Sequence, residues 1–506
     1  MAHPEIFIGI VGAAGTDHAS VATCLSDALL DVAYRSEAIH VIELLSRLGA
    51  YISLPVSPEE ERIARRMDAG DDFRNRSGRA DALAALCITE IARRRETATG
   101  QTPSPAAVNT AYVLRSLKRT EEVELLRRIY GNSFFLLGAY APREVRVSRL
   151  AEVIARSHHS PSIEMFREHA ERIVVRDYED ASNPDGQRLR DTFALADVFV
   201  RADDPRSLRE QIRRFINLLF GHPFHTPTRD ESGMFLAHAA ALRSAALPRQ
   251  VGAAITTPDG SIIATGCNDV PKAGGGLYCE EDANDKRDHV RGWDFSDVAR
   301  SDMTADLLRR LRQAGWLAKH VADESPEALV SAALDKTGPL RGSQMASVVE
   351  FGRVVHAEMD AITDAARRGV RTQGAHLYTT TFPCHNCARH IVASGLSRVV
   401  FIEPYPKSRA LELHQDAIAL EPRLSDGRVG FEPFVGIAPR LYAPLFRMTK
   451  RKESDGRATA WHPSQAGPKL SAPSPVYLDD EQMEILNFLD RLKNVGLLSA
   501  EGSSDV

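Results

Sequence analysis

A chain of 506 residues is longer than one hydrophobic core organises, so two or more domains are expected. Its 43% hydrophobic and 26% charged residues form an ordinary globular balance, which excludes overall disorder. A net charge of −5 with no long Lys/Arg block disfavours a duplex-binding protein, which would carry a basic stripe.

No apolar run reaches about 18 residues, so no membrane-spanning helix is expected. The N-terminal "IFIGIVG" is preceded by neither a basic region nor a cleavage site, and the cytoplasm is the expected compartment. Six cysteines, four scattered and two in a C-x-x-C, suit metal or redox chemistry better than a disulfide framework.

The first half alternates strand and helix signals. "IFIGIVG" reads as a strand, "ATCLSDALLDVAYR" as a helix and "AIHVIEL" as a second strand. "RADALAALCITEIARRRE" and "EEVELLRRIYG" read as helices before the strand candidates "AAVNTAYVLRSL" and "SFFLLGAYA". "TFALADVFVRAD" reads as a last strand and "SLREQIRRFINLLFG" as a closing helix, whose arginines read as a solvated face. This alternation predicts a parallel sheet with helices on both faces.

Behind the first strand, Gly12, Ala13, Ala14, Gly15, Thr16, Asp17 and His18 have the outline of a phosphate-binding loop and are the candidate nucleotide-binding residues. The pattern G-x-x-x-x-G-K-[ST] is broken, with Asp17, His18 and Ala19 at its last three places. A glycine-rich loop at a helix N-terminus still offers N–H groups to an anion. Phosphoryl transfer also needs a fixed cation and a magnesium ligand, and an imidazole of ordinary pKa about 6.5 is mostly neutral at pH 7. No Asp stands in "AAVNTAYVLRSL" to help hold magnesium, and Ser20 is displaced by one position. The domain is therefore expected to lack kinase activity and to sense a nucleotide, hold a partner or assemble an oligomer, with a purely structural relic as the alternative.

The domains are expected at 1–225, 226–462 and 463–506, with the first boundary in the proline-rich "GHPFHTPTRDES". The second domain opens with helical "GMFLAHAAALRSAA" and a hairpin, "QVGAAITTPDGSIIATGCN", turned by Pro-Asp-Gly. A long stretch over 267–350 begins glycine-rich and ends helical. The tail has a Pro/Ser-rich linker and one amphipathic helix, "DDEQMEILNFLDRLKNVG", expected to dock on the body or on a neighbouring subunit.

The chemistry is concentrated in "VVHAEMDAI" and "TTTFPCHNCARHI". His356, Cys384 and Cys387 supply one imidazole and two thiolates, a set for tetrahedral Zn2+ with its fourth position open for catalysis. Glu358 is not needed as a ligand and is placed to carry a proton from water to a ring nitrogen and a departing amine. A helix is expected to start at each half-motif, and a helix N-terminus favours thiolate. Alone, the C-x-x-C reads as a redox pair or half of a structural zinc site. In this order, with a proline before the first cysteine and a strand between, the set is the H-x-E…P-C-x-x-C signature of zinc nucleobase deaminases. His385 and His390 suit surface roles, and Cys267, Cys279 and His289 are a lesser candidate for a second metal.

Three stretches, "QVGAAITTPDGSIIATGCNDVP", "HAEMDAI" and "LYTTTFPCHNCARHIVASGLSRVVFIEPYPKS", resemble the deoxycytidylate deaminase branch of the cytidine deaminase superfamily. The resemblance implies an α/β/α sandwich with zinc at two helix N-termini. It also implies nucleoside contact by Asn268 and contact with the phosphate end by Tyr405, Lys407 and Ser408. The 267–350 insertion departs from the short forms of the family. With the degenerate P-loop kinase-like half, the chain resembles bacterial anti-phage deoxycytidine-nucleotide deaminases. That likeness implies conversion of dCTP and dCMP to uracil forms, depletion of dCTP, restraint by an antitoxin RNA and a homo-oligomer.

Two other readings compete. A nucleic-acid cytidine deaminase would add a basic channel and stacking aromatics, whereas this chain is 7% aromatic with three tryptophans. A regulatory protein with a structural zinc would have no use for Glu358.

Overall fold

The computed structural model describes residues 3–178, 188–335, 337–340, 343, 345, 351–405, 408–420, 427–470 and 477–498. The chain forms two compact units, one of residues 1–231 with 435–506 and the other of residues 232–434.

In the first unit, β1 (Ile6–Gly12), α1 (His18–Asp31), β2 (Arg35–His40), α2 (Glu59–Ser77), α3 (Ala82–Thr99) and β3 (Thr110–Arg115) come in order. They are followed by α4 (Thr120–Tyr130), β4 (Phe134–Tyr140), α5 (Arg143–Ser157), α6 (Arg167–Tyr178), α7 (Leu189–Ala194), β5 (Val198–Arg201) and α8 (Pro205–Leu219). α9 (Arg229–Ala241) crosses into the second unit at Ser232, followed by β6 (Gly252–Thr256), β7 (Ile262–Cys267), α10 (Asp288–Arg291), α11 (Phe295–Gln313), α12 (Lys319–Ala322) and α13 (Pro326–Leu334). It continues with α14 (Ala357–Arg367), β8 (His376–Thr381), α15 (His385–Ala393), β9 (Arg398–Glu403), α16 (Ala410–Leu413), β10 (Ile418–Leu420) and β11 (Val429–Pro433). The chain then returns to the first unit as β12 (Gly436–Ile437), α17 (Pro439–Phe446) and α18 (Tyr477–Asn494).

The first sheet runs β12-β5-β4-β1-β3-β2, parallel throughout except for β12 on β5. β1 at its centre is buried along its whole length, as expected of a strand covered on both faces. The strand read through "AIHVIEL" stops at His40, and Val41–Arg47 coils into a 3-10 helix. "TFALADVFVRAD" likewise divides into α7 and β5.

The second sheet runs β10-β11-β9-β8-β6-β7. β10, β11, β9 and β8 are parallel, while β6 is antiparallel to both β8 and β7. The β6–β7 pair is the hairpin read from the sequence, with Gly260 of its turn at φ +98°. Both units are mixed α/β, in line with the fold class expected.

The domain limits fall differently from the sequence reading. Residues 226–231 and 435–462, expected in the second domain, belong to the compact first unit. The physical reason is burial: β12 extends the first sheet at β5, and Ile437, Leu441 and Leu445 enter that sheet's core. The fully buried Asp197 accepts from Leu136 N–H at 2.8 Å and from Arg440 Nε at 2.7 Å.

The tail is not a separate body either, since α18 packs on α3 and α4 of the first unit. Arg95 of α3 lies 2.6 Å from Glu481 of α18 and 3.4 Å from Glu5, and all three are buried. Tyr130 donates to Glu481 at 2.9 Å and Tyr477 to Glu5 at 2.6 Å. Among the described residues no helix is long and apolar enough to cross a membrane.

Candidate active site

His356 is the N-cap of α14, and Cys384 is the N-cap of α15 with Cys387 in its first turn. Both helices thus begin where the half-motifs predicted. α14 can lie directly on β7 because Gly266 has no side chain: a Cβ there would stand 2.3 Å from the Ala357 carbonyl oxygen. Asp360, one turn into α14, accepts the Cys267 N–H at 3.1 Å and fixes the helix along the strand end.

The His356 Nδ1 atom is 3.3 Å from the Cys384 Sγ and 3.3 Å from the Cys387 Sγ, and the three donor atoms lie within 4.8 Å of one another. Zinc bonds of about 2.3 Å to sulfur and 2.0 Å to nitrogen place tetrahedral ligands about 3.5 Å apart, so this donor set fits the ion. Both cysteines are buried. The hydrogen bond from the Cys387 thiol lowers the Cys384 pKa to about 4, and the same bond, with burial, raises that of Cys387.

Glu358 is buried, and burial lifts its carboxyl above the ordinary range against the pull of His356. It lines a cavity of about 500 Å³ together with His356, Cys384, Asn268 and Tyr405. That volume is of the size that holds a small-molecule ligand.

The comparisons agree with this geometry. The family model for the cytidine and deoxycytidylate deaminase zinc-binding region matches residues 227–403. The deoxycytidylate deaminase of Enterobacteria phage T4 is 31% identical over 161 residues, covering 32% of this chain and 70% of the phage protein. This chain belongs to the deoxycytidylate deaminase family.

A probable deoxycytidylate deaminase of Drosophila melanogaster is 38% identical over 87 residues, 16% of this chain and 42% of the fly protein. The crystal structure of the dCMP deaminase of cyanophage S-TIM5 with dCMP and dUMP covers 42% of this chain and 99% of its own, at 18% identity and a TM-score of 0.23. The family's zinc-binding region and the His/Cys/Cys donor set together fit Zn2+ as the cofactor.

The other residues expected at the site of this deaminase family member divide into three groups. Asn268 and Tyr405 line the cavity. The Asn268 amide is engaged by backbone, accepting from Val251 N–H at 2.6 Å and donating to the Arg249 carbonyl at 2.8 Å, so it holds the cavity wall formed by that loop. Ser408 is not among the lining residues; its hydroxyl donates to the Pro383 carbonyl at 2.7 Å and braces the turn that presents Cys384. Lys407 lies outside the described residues.

Sequence reasoning missed Arg249 and the segment Asp294–Arg300, which also line the cavity. The Arg249 guanidinium sits 5.5 Å over the Tyr405 ring and 3.4 Å from Glu403. The capping pattern at Asp294 marks a helix start, but nothing local shows that this helix borders His356, 62 positions along the chain.

The second metal site does not assemble. Cys267 is buried, the exposed Cys279 thiol donates to Asp282 at 3.4 Å, and His289 lies 3.8 Å from Asp285. Among the described residues, His356, Cys384 and Cys387 are the one group of three metal donors.

In the first unit, residues 13–17 turn from β1 into α1, and Asp17 caps the helix by accepting the Ser20 N–H at 3.0 Å. Gly15 has φ +84°, and a Cβ on it would meet the Arg146 carbonyl oxygen at 2.4 Å. Burial, and then the Lys118 ammonium, push the His18 pKa down to about 3, so the ring is neutral at pH 7.

The Ala14 N–H donates to the buried Asp177 at 2.6 Å. Lys118 Nζ donates to Asp177 Oδ1 at 2.8 Å and to the Gly12 carbonyl at 3.0 Å. The loop therefore has a lysine beside it that the motif did not reveal. β3 neighbours β1 in the sheet, and the chain after β3 carries Lys118 to the loop after β1. A cavity of about 260 Å³ adjoins Ala14, Gly15, Thr16 and His18.

Proposed function

We propose that the chain hydrolyses the 4-amino group of free deoxycytidine nucleotides, dCMP and dCTP, to give the uracil forms. The observation that carries this reading is the convergence of His356, Cys384 and Cys387, with His356, Cys384 and the buried Glu358 lining one cavity. Zinc bound by these three donors supplies the positive charge that makes water nucleophilic near neutral pH. Glu358 accepts one proton of the water as its oxygen adds to C4 and passes it to the ring nitrogen, then takes the proton of the new C4 hydroxyl and passes it to the amine. The C4–N bond breaks, ammonia leaves and the carboxylate is regenerated. Asn268 holds the cavity wall, and Tyr405 with Arg249 borders it. A net charge of −5 with no long Lys/Arg block in the sequence favours a free nucleotide over a polymer.

The resemblance of the two-part chain to anti-phage deaminases supports a defensive role through depletion of dCTP. The same resemblance supports a homo-oligomer and an antitoxin RNA, tested by native mass measurement before and after ribonuclease treatment. For the degenerate loop of residues 12–18 we propose no phosphotransfer. A regulatory nucleotide there would displace Asp177 from Ala14 and Lys118.

The test is ammonia release by the zinc-loaded protein given dCMP, dCTP, deoxycytidine, cytosine or a cytosine-containing oligonucleotide. Release from dCMP and dCTP is expected. Release from the oligonucleotide alone would replace this reading with that of a polynucleotide deaminase.

A further inference from the structure

We infer that Arg300, carried by the inserted helix α11, binds the phosphate of the substrate and makes the site select nucleotides over nucleosides. The inference rests on the nucleotide deaminase reading and adds to it a residue from outside the recognisable motifs.

The insertion is stitched to the zinc site. Arg353, three residues before His356, places its guanidinium 5.6 Å over the Phe295 ring. It also donates to the buried Asp288 at 2.8 Å and to the Lys286 carbonyl at 3.2 Å. Val355 pairs with Asp269 in an isolated bridge. The start of α11 is thereby held as one wall of the catalytic cavity, to which Asp294, Ser296, Asp297 and Arg300 contribute.

A nucleotide whose base meets Glu358 must leave its phosphate elsewhere in the same cavity, and that dianion needs cationic donors. Among the described lining residues only Arg249 and Arg300 carry a fixed positive charge. Arg249 is already engaged by Tyr405 and Glu403. Among the described residues Arg300 pairs with Asp297 alone, at 2.9 Å, and that carboxylate is 67% exposed. The Arg300 Nε is buried and has no hydrogen-bond partner among the described residues. A buried guanidinium donor without an acceptor is costly, and a phosphate oxygen supplies the acceptor in the geometry a guanidinium favours. Asp294 on the same wall is tied to the helix, its carboxylate capping α11 by accepting the Ser296 N–H at 2.7 Å.

The experiment compares the full-length zinc-loaded protein with Arg300→Gln and Asp297→Asn. It measures dCMP turnover, inhibition by dUMP, inhibition by deoxyuridine and zinc content. Arg300→Gln is expected to raise the KM for dCMP and the inhibition constant for dUMP by about tenfold or more, the loss for one charged hydrogen bond. Its kcat, zinc content and deoxyuridine inhibition should stay near wild type. Asp297→Asn, which releases Arg300 from its competitor, should move the two nucleotide constants the opposite way. Unchanged nucleotide constants in both variants, or an equal loss for deoxyuridine, would overturn the assignment of Arg300 alone. A wild-type protein that releases no ammonia from any cytosine nucleotide would overturn the underlying reading as well.

Discussion

Both units of this chain gather polar groups at helix N-termini, and they use them in opposite ways. At the start of α1, the groups that could meet a phosphate are satisfied from within: Ala14 N–H and Lys118 by Asp177, and the Ser20 N–H by Asp17. At the starts of α14 and α15, an imidazole and two thiols face one another with a buried carboxyl beside them. The imidazole and thiol donor atoms lie within 4.8 Å of one another, a spacing that suits one divalent cation. A helix N-terminus is a general device. The side chains around it decide whether it closes the fold on itself or waits for a ligand.

Cys384→Ala should break the open site most completely. It removes one of three donors, and both zinc content and turnover are expected to be lost, as read by metal analysis and ammonia release. Full zinc in that variant would mean that other residues hold the ion.

In the closed unit the largest effect is expected at Arg95, which faces two buried carboxylates. Arg95→Met leaves both without a cation and should cost about 3–5 kcal/mol in urea unfolding of the first unit. A change below about 1 kcal/mol would show that the cluster does not hold α18.

Asp177→Asn sharpens the comparison more gently. Melting of the wild-type first unit should not respond to inorganic phosphate, whereas in the variant, with Lys118 released, that unit should melt higher as phosphate is added. The same phosphate response in both proteins would show that Asp177 does not fill the loop.

The smallest effect is a pH slope. Burial raises the pKa of Glu5 and of Glu481 above 4.5, with Arg95 opposing it in both. Each carboxyl binds its proton more readily folded than unfolded. The stability each contributes is therefore full below about pH 4.5 and falls as pH rises through the folded pKa. Glu481→Gln should gain stability relative to wild type across that window, by at most about 1.4 kcal/mol per pH unit. A difference that does not vary with pH would contradict it.

Much of the open site was legible in the sequence because its chemistry is local. A histidine opening one helix and a C-x-x-C opening another follow from spacing, and α14 and α15 start where the motifs require. The alternation of strands and helices also predicted a mostly parallel first sheet. What was not legible is long-range. Asp177 meets Ala14 across 163 positions, and Arg300 reaches the catalytic cavity from a helix with no motif of its own. The domain limits were missed for the same reason. Gly436 and Ile437 form a strand of only two residues, yet it adds to the sheet that began at Ile6 and draws the tail back to the first unit.

The most direct test of the open site is Glu358→Gln, measured for ammonia release from dCMP and for bound zinc in the same preparation. Glutamine keeps the shape of the side chain but cannot carry the proton. Turnover should fall by about 10²-fold to 10⁴-fold while zinc stays at the wild-type level. Turnover retained in Glu358→Gln, or zinc lost with it, would contradict the assignment of Glu358 as a proton carrier that is not a ligand.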